Sequence, residues 1–257
     1  MAGIISGTEL AGRVALVTGA GRNIGRAIAL ELAAAGATVV VNVRGNHGEA
    51  EAVVHEIRAA DGDAIALLAD VTDRAAVETM MRKTVDHFGR LDVLVNNAAI
   101  REEVPFADLD FAAWRRVLDV CLDGAFFCVK AAHGALKASG AGAIINIGGL
   151  TGHTGAEARA HVVTAKAGLA GFTRALAHDL AADGITANCV SPGMMATRRQ
   201  TTSAAGEPVH HATRTTLIGR RGRPEECAAA VRWLAGPGGR FVTGQVIHVN
   251  GGAFLGG

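Results

Sequence analysis

Seven short apolar runs alternate with longer helical stretches along this chain, and few architectures satisfy that pattern. The runs are Val14–Thr18, Thr38–Val43, Ala64–Leu68, Asp92–Val95, Ala143–Ile147, Thr186–Val190 and Val246–Val249. Each is almost continuously apolar, as strands are when both faces of a parallel sheet are covered. Between them Ile24–Ala35, Glu49–Ala60, Arg74–Phe88, Phe111–Leu136, Ala156–Ala182 and Glu225–Leu234 carry helical patterns. Strand–helix–strand units cross over right-handedly, so the pattern predicts an α/β fold with a doubly wound parallel sheet. No Pro- or Ser-rich linker, repeat or low-complexity segment divides residues 1–257, and one domain is expected. The stretch Gly193–Gly222 breaks the regularity. It is rich in Thr, Arg, Met and His and falls where an insertion over the sheet's carboxyl edge would cover a substrate.

Composition excludes several classes. Hydrophobic residues are 49% and aromatics 4%, so the core must be aliphatic and alanine-packed. Gly 34 with Pro 5 points to tight turns and close helix–sheet contacts. A net charge of +1 supplies no steering field for nucleic acid or a membrane surface, and neither is expected as a partner. Cys121, Cys128, Cys189 and Cys227 have no metal-ligand spacing; reduced core thiols and no metal are expected. The N-terminal M-A-G-I-I-S-G-T-E-L has no basic region followed by an apolar run, and no apolar stretch is long enough to span a bilayer. A cytoplasmic protein is the expectation.

The first apolar run leads directly into T-G-A-G-R-N-I-G-R-A, Thr18 to Ala27. Glycines there permit a tight turn and let backbone N–H groups approach a pyrophosphate at a helix N-terminus. The position after a strand and before a helix is what that mechanism requires. Other motifs follow in order. Asp70-Val71 follows the third run, N-N-A-A (Asn96 to Ala99) ends the fourth, and Ser191-Pro192-Gly193 follows the sixth, with Thr197 beyond it. The tail reads R-F-V-T-G-Q-V-I-H-V-N-G-G.

This ordered set resembles the short-chain dehydrogenase/reductase family over essentially the whole chain, nearest in flavour to its 3-oxoacyl-carrier-protein reductase branch. The resemblance implies a Rossmann-type, seven-stranded domain that binds a nicotinamide dinucleotide. The residues it assigns to the cofactor are Gly19, Gly21, Arg22, Asn23, Ile24, Gly25, Arg44, Asp70, Val71, Asn97, Ala98, Lys166, Pro192, Gly193 and Thr197. Asn23 stands where the family has its middle glycine; asparagine tolerates left-handed backbone better than other side chains, so the turn is expected to survive. The second run ends V-V-V-N-V-R-G-N, with no acid before Glu49 to bind a ribose diol. Arg44 and Arg22 suit a 2′-phosphate, so NADP(H) is preferred over NAD(H).

The chemistry departs from the resemblance. The family uses a serine, a tyrosine, a lysine and an asparagine. The corresponding positions here are Gly149, Val162, Lys166 and Cys121. The chain contains Tyr 0, so neither another segment nor a second identical subunit can lend the phenol. Lys166 is the retained catalytic residue. Among its neighbours, His161 adjoins the lost tyrosine, but one residue turns a helical side chain by about 100°, off the face of Lys166. A helix-face or interface histidine is the simpler reading. Arg159, seven residues before Lys166, is either a cation able to hold a carboxylate or enolate, or a solvated first-turn residue. Thr151 and His153 lie on the loop bordering the cleft. Cys121 reads as a buried thiol. Met194 and Met195 offer apolar contact; Arg198, Arg199, His210 and His211 are candidates for an anionic substrate or solvated charges.

Three functions stay open. One is an NADP(H)-dependent oxidoreductase of a small carbonyl or hydroxyl compound. The second is a non-redox lyase, dehydratase or isomerase on the same fold. The third is a catalytically inactive NADP(H)-binding sensor or partner protein. The two long alanine-rich helices are those that pack across a two-fold axis in the family, which implies a homo-oligomer, a dimer or tetramer.

Overall fold

Every apolar run becomes a strand of one sheet. In the computed structural model, which describes residues 7–197 and 215–256, the strands are β1 (Val14–Val17), β2 (Thr38–Val43), β3 (Ala64–Leu68), β4 (Val93–Asn96), β5 (Ala143–Ile147), β6 (Thr186–Pro192) and β7 (Val246–Val249). Their order is β3-β2-β1-β4-β5-β6-β7, and all neighbours are parallel. The order reverses between β1 and β4. At such a switch point the loops leaving the carboxyl ends diverge and open a crevice for ligand.

The helices are α1 (Asn23–Ala34), α2 (His47–Ala59), α3 (Arg74–Phe88), α4 (Phe111–Leu118), α5 (Gly124–Ala138), α6 (Thr151–Thr154), α7 (Ala160–Asp179) and α8 (Pro224–Ala235). One core joins α1, α2 and α8 to the sheet through Ile28, Leu32, Val53, Ile57, Val231 and Leu234. The other joins α3, α5 and α7 to the opposite face through Met80, Met81, Val129, Leu136 and Leu176. Side chains of this size each contribute about 1.5–3 kcal/mol when fully buried, which is why an aliphatic core suffices. Local chemistry sets the ends. Asp73 caps α3 by accepting from the backbone N–H groups of Ala75 and Ala76, and Gly89 closes it at φ 74.

Two helices differ from the sequence expectation. Phe111–Leu136 is not one regular helix: a π turn over Asp119–Asp123 separates α4 from α5. The stretch expected from Ala156 starts instead at Ala160, because Gly155 (φ 69) and Ala158 (φ 54) are left-handed and cannot lie inside a helix. Among the described residues no helix is long and apolar enough to cross a membrane, and no group of three potential metal ligands occurs.

Candidate active site

The turn from β1 into α1 is built by close approach. A side chain at Gly25 would collide with the Gly19 carbonyl and the Asn97 amide, so only glycine lets α1 seat on the strand ends. Gly19 (φ 62) and Asn23 (φ 51) both take left-handed backbone, as the asparagine reading required. Asn97 locks the turn: its Nδ2 donates to the carbonyls of Thr18 and Gly19, each at 2.9 Å. The Thr18 hydroxyl accepts from the N–H groups of Asn97 (2.9 Å) and Ala98 (3.0 Å). Arg22 at the N-cap makes no side-chain capping bond, and the first turn of α1 holds no acid. The positive end of the helix therefore faces the switch point with no acid in its own first turn.

The tip of β2 lies beside this turn. Asn42 is buried and ties β2 to β3, its Nδ2 donating to Leu67 O (3.2 Å) and Ala69 O (3.1 Å). Arg44 is exposed. Glu49 on α2 returns to the glycine turn: a Cβ on Gly21 would lie 3.2 Å from its Oε2, and Arg22 Nη1 is 3.9 Å from its Oε1. Beyond β3, Asp70 Oδ1 accepts from Thr72 N (2.9 Å) and Thr72 Oγ1 (2.8 Å), and Val71 packs against Gly124.

The middle of the crevice is anchored by buried polar bonds. Asn96 Nδ2 donates to Asn146 Oδ1 (2.8 Å), and Asn146 Nδ2 donates to Thr173 Oγ1 (2.9 Å). This chain crosses from β4 through β5 to α7 and fixes α7 against the sheet. One helical stretch nearer the crevice, Lys166 is buried and its Nζ donates to Ile147 O at 2.7 Å. Burial pushes its pKa down; the nearby Cys121 and Cys189 thiols oppose this, while the Arg101 guanidinium reinforces it.

The chain is similar to known proteins over nearly its whole length. A family model described as enoyl-(acyl carrier protein) reductase matches residues 19–253. A 3-oxoacyl-[acyl-carrier-protein] reductase from Synechocystis is 42% identical over 249 residues, covering 96% of this chain and 99% of that protein. A dehydrogenase/reductase from Sinorhizobium meliloti superposes with a TM-score of 0.90 at 39% identity, covering 98% of this chain and 99% of that one. A short chain dehydrogenase from Burkholderia cenocepacia solved with NADP superposes with a TM-score of 0.87 at 35% identity, covering 95% and 99%. The chain belongs to the short-chain dehydrogenase/reductase family.

The nicotinamide dinucleotide that this family implies fits the residues present. The uncapped helix end, the glycine turn that admits no Cβ at Gly25, and a lysine bonded to the last residue of β5 all lie at the carboxyl edge of the parallel sheet. Pro192 ends β6 opposite Val249, and Gly193 passes so close to Asn250 that a Cβ would lie 2.7 Å from its Cα. Thr197 N donates to Met195 O at 2.9 Å, while both Met194 and Met195 are buried. Arg198, Arg199, His210 and His211 lie outside the described residues.

Val162, the position at which the resemblance implies a tyrosine, lies in an apolar cluster. Val162 packs with Val117, Cys121 and Ala165, flanked by Ala99, Ile100 and Leu118. Cys121 sits in the π turn, its thiol 3.9 Å from Ile100 O. The remaining sequence candidates have found protein partners or none at all. Arg159 is the N-cap residue of α7 and pairs with Glu103, Nε to Oε1 at 3.0 Å and Nη2 to Oε1 at 2.8 Å. His161 is fully buried, and neither ring nitrogen has a partner among the described residues. His153 turns toward the C-terminal tail: its ring meets His248 edge-on at 4.6 Å and stacks on Phe254 at 5.7 Å. Thr151 opens the short α6.

Sequence reading missed two participants. Glu49 was passed over because it lies on α2 rather than at the end of β2, yet a first-turn position lets its carboxylate reach back. Glu103 was invisible as the partner of Arg159, since the pair is 56 residues apart.

Proposed function

We propose that the chain is an NADP(H)-dependent oxidoreductase acting on a carbonyl or hydroxyl group of a small molecule. The observation that carries this reading is the N-terminus of α1, with no side-chain cap and no acid in its first turn, set against a Cβ-excluding glycine turn at the same edge of the sheet as Lys166. The family membership and the NADP held by the Burkholderia relative support the cofactor class. When bound, the cofactor supplies hydride transfer, and the protein's part is orientation. The backbone around Gly19 to Gly25 would receive the pyrophosphate, Arg22 and Arg44 the 2′-phosphate, and Lys166 the nicotinamide ribose. Asp70, Val71, Asn97, Ala98, Pro192, Gly193 and Thr197 would line the remaining contacts. Segment 193–222 would cover the substrate. No protein hydroxyl stands at Gly149 or Val162, so the carbonyl oxygen would take its proton from water, Lys166, a histidine or the substrate itself.

A second reading has its own observation. Val162 is packed into an apolar cluster where the family works with a phenol, which favours a non-redox reaction or simple cofactor binding. NADPH mixed with a panel of aldehydes and ketones separates the readings. Loss of nicotinamide absorbance with any panel member supports the oxidoreductase. Tight binding without loss, together with turnover of another kind or none, supports the second.

The chain is further proposed to act as a dimer or tetramer. Phe126 on α5 is half exposed, and its ring touches those of Phe127 and Phe172, forming an aromatic face across α5 and α7.

A further inference from the structure

Lysine is a poor nucleophile in water because it is protonated; it becomes a good one when desolvated in an apolar pocket or placed beside another cation. Both conditions meet at Lys166. Its side chain is buried and adjoins the Val162, Cys121 and Ala165 cluster, and among the described residues no carboxylate pairs with it. Among the described residues the cation that bears on it is Arg101, a like charge, with the Cys121 and Cys189 thiols acting in the opposite sense. Its one hydrogen bond is donated to a neutral acceptor, Ile147 O at 2.7 Å. A neutral amine can make that bond with one hydrogen and keep its lone pair free. Among the described residues the side facing Gly149 is bare, since a Cβ there would meet only Lys166 Cγ at 3.7 Å.

We propose that Lys166 forms imines with small aldehydes and ketones, a covalent activity independent of the nicotinamide reading above. The Nζ lone pair attacks the carbonyl carbon, a C–N bond forms, and the C=O π electrons become a hydroxyl. That hydroxyl leaves as water, carrying both amine hydrogens, so the balance is amine plus carbonyl giving imine plus water. Protonation of the imine by solvent gives an iminium that keeps one N–H for Ile147 O. An iminium withdraws electrons from the adjacent carbon, so the activity that follows is exchange of hydrogens α to the carbonyl. The vanished phenol is central to this. A tyrosinate beside Lys166 would hold the ammonium form by charge, and valine does not.

The test uses the chain as expressed, stripped of nucleotide, with butanal as the probe and borohydride as the trap near pH 7. The other lysines, Lys83, Lys130 and Lys137, are all exposed and serve as internal references. Peptide mapping should find butyl groups on Lys166 at no less than about tenfold the occupancy of any reference lysine, since burial raises its neutral fraction. Equal occupancy, or an unlabelled Lys166 in protein that remains folded by circular dichroism, overturns the proposal. NADPH binding is followed separately by nicotinamide fluorescence on the same preparation. Failure of that binding counts against the cofactor reading alone, and failure of labelling counts against the imine alone.

Discussion

Among the described residues a Cβ placed on Gly149 touches Lys166 Cγ at 3.7 Å and nothing else, so the position can accept a serine without displacing them. Val162 differs, because it is buried in the cluster with Cys121, Val117 and Ala165. Positioned acid catalysis contributes about 10²–10⁴-fold, and an oxyanion donor a comparable factor. Gly149→Ser with Val162→Tyr should therefore raise NADPH-dependent reduction of a generic ketone by at least about tenfold, a cautious part of those factors. Cys121 still lacks an amide, so the gain stays partial. The tyrosine ring must also enter a filled cluster, which should cost about 1–3 kcal/mol of stability. Steady-state rates and thermal melts of both single variants and the pair check this; a folded pair that binds NADPH and reduces no faster sinks it.

Cofactor choice should turn on charges at the tip of β2. Arg44→Ala should weaken NADPH by about 1.5–3 kcal/mol, the range for hydrogen bonds to charged groups, and leave NADH nearly unchanged. Glu49 lies 3.9 Å from Arg22, and its charge would oppose a 2′-phosphate held there. Glu49→Gln should accordingly strengthen NADPH and not NADH. Calorimetric titration of both cofactors against the two variants decides; equal effects on both cofactors remove the assignment.

Assembly is testable without ligand. Light scattering at micromolar concentration should give a dimer or tetramer. Phe126→Glu, which puts a charge on the aromatic face shared with Phe127 and Phe172, should shift the mass downward while the circular dichroism spectrum holds. A wild-type monomer would contradict the expectation.

Acid should loosen the N-terminal segment from α8. Arg232 Nε donates to Glu9 Oε1 at 2.7 Å, and Arg232 Nη1 pairs with Glu31 Oε1 at 3.0 Å. The bond from Arg232 holds the Glu9 carboxyl at about 2, against an ordinary 4.5. A carboxyl depressed by folding stabilises fully above its unfolded value and loses that contribution as pH falls from there toward the folded value. The stability lost between about pH 4.5 and 2 should shrink in Glu9→Gln, measured by urea midpoints across that window. An unchanged pH slope would refute it.

Strands were legible because burial on both faces leaves a continuous apolar run, and β2, β3, β5 and β7 have the bounds the runs predicted. The glycine turn was legible because its constraint is local: Asn23 needed only tolerance of positive φ. The site's other half was less so. Nothing near Arg159 in sequence announces Glu103, and nothing near His153 announces His248 or Phe254. Those partners arrive from distant segments, and periodicity carries no information about them. The π turn was equally hidden, since α4 and α5 together have an unbroken helical composition.

That π turn acts as a phase correction. A buried stripe along α4, the π turn and α5 runs through Val117, Cys121, Ala125, Cys128, Ala132 and Leu136, spaced by four, four, three, four and four residues, with Gly124 and Val129 buried beside it. On a regular helix each step of four overshoots a full turn by about 40° and a step of three falls short by about 60°, so the stripe would wander by about 100° across its length. The wider turn at Asp119–Asp123 absorbs much of that rotation. One continuous helical rod can then present Val117 and Cys121 to the cluster around Val162 and, further on, Cys128, Ala132 and Leu136 to the sheet. The length of chain in this turn therefore matters more than its composition: a substitution there perturbs one contact, whereas a deletion would re-aim everything downstream of it.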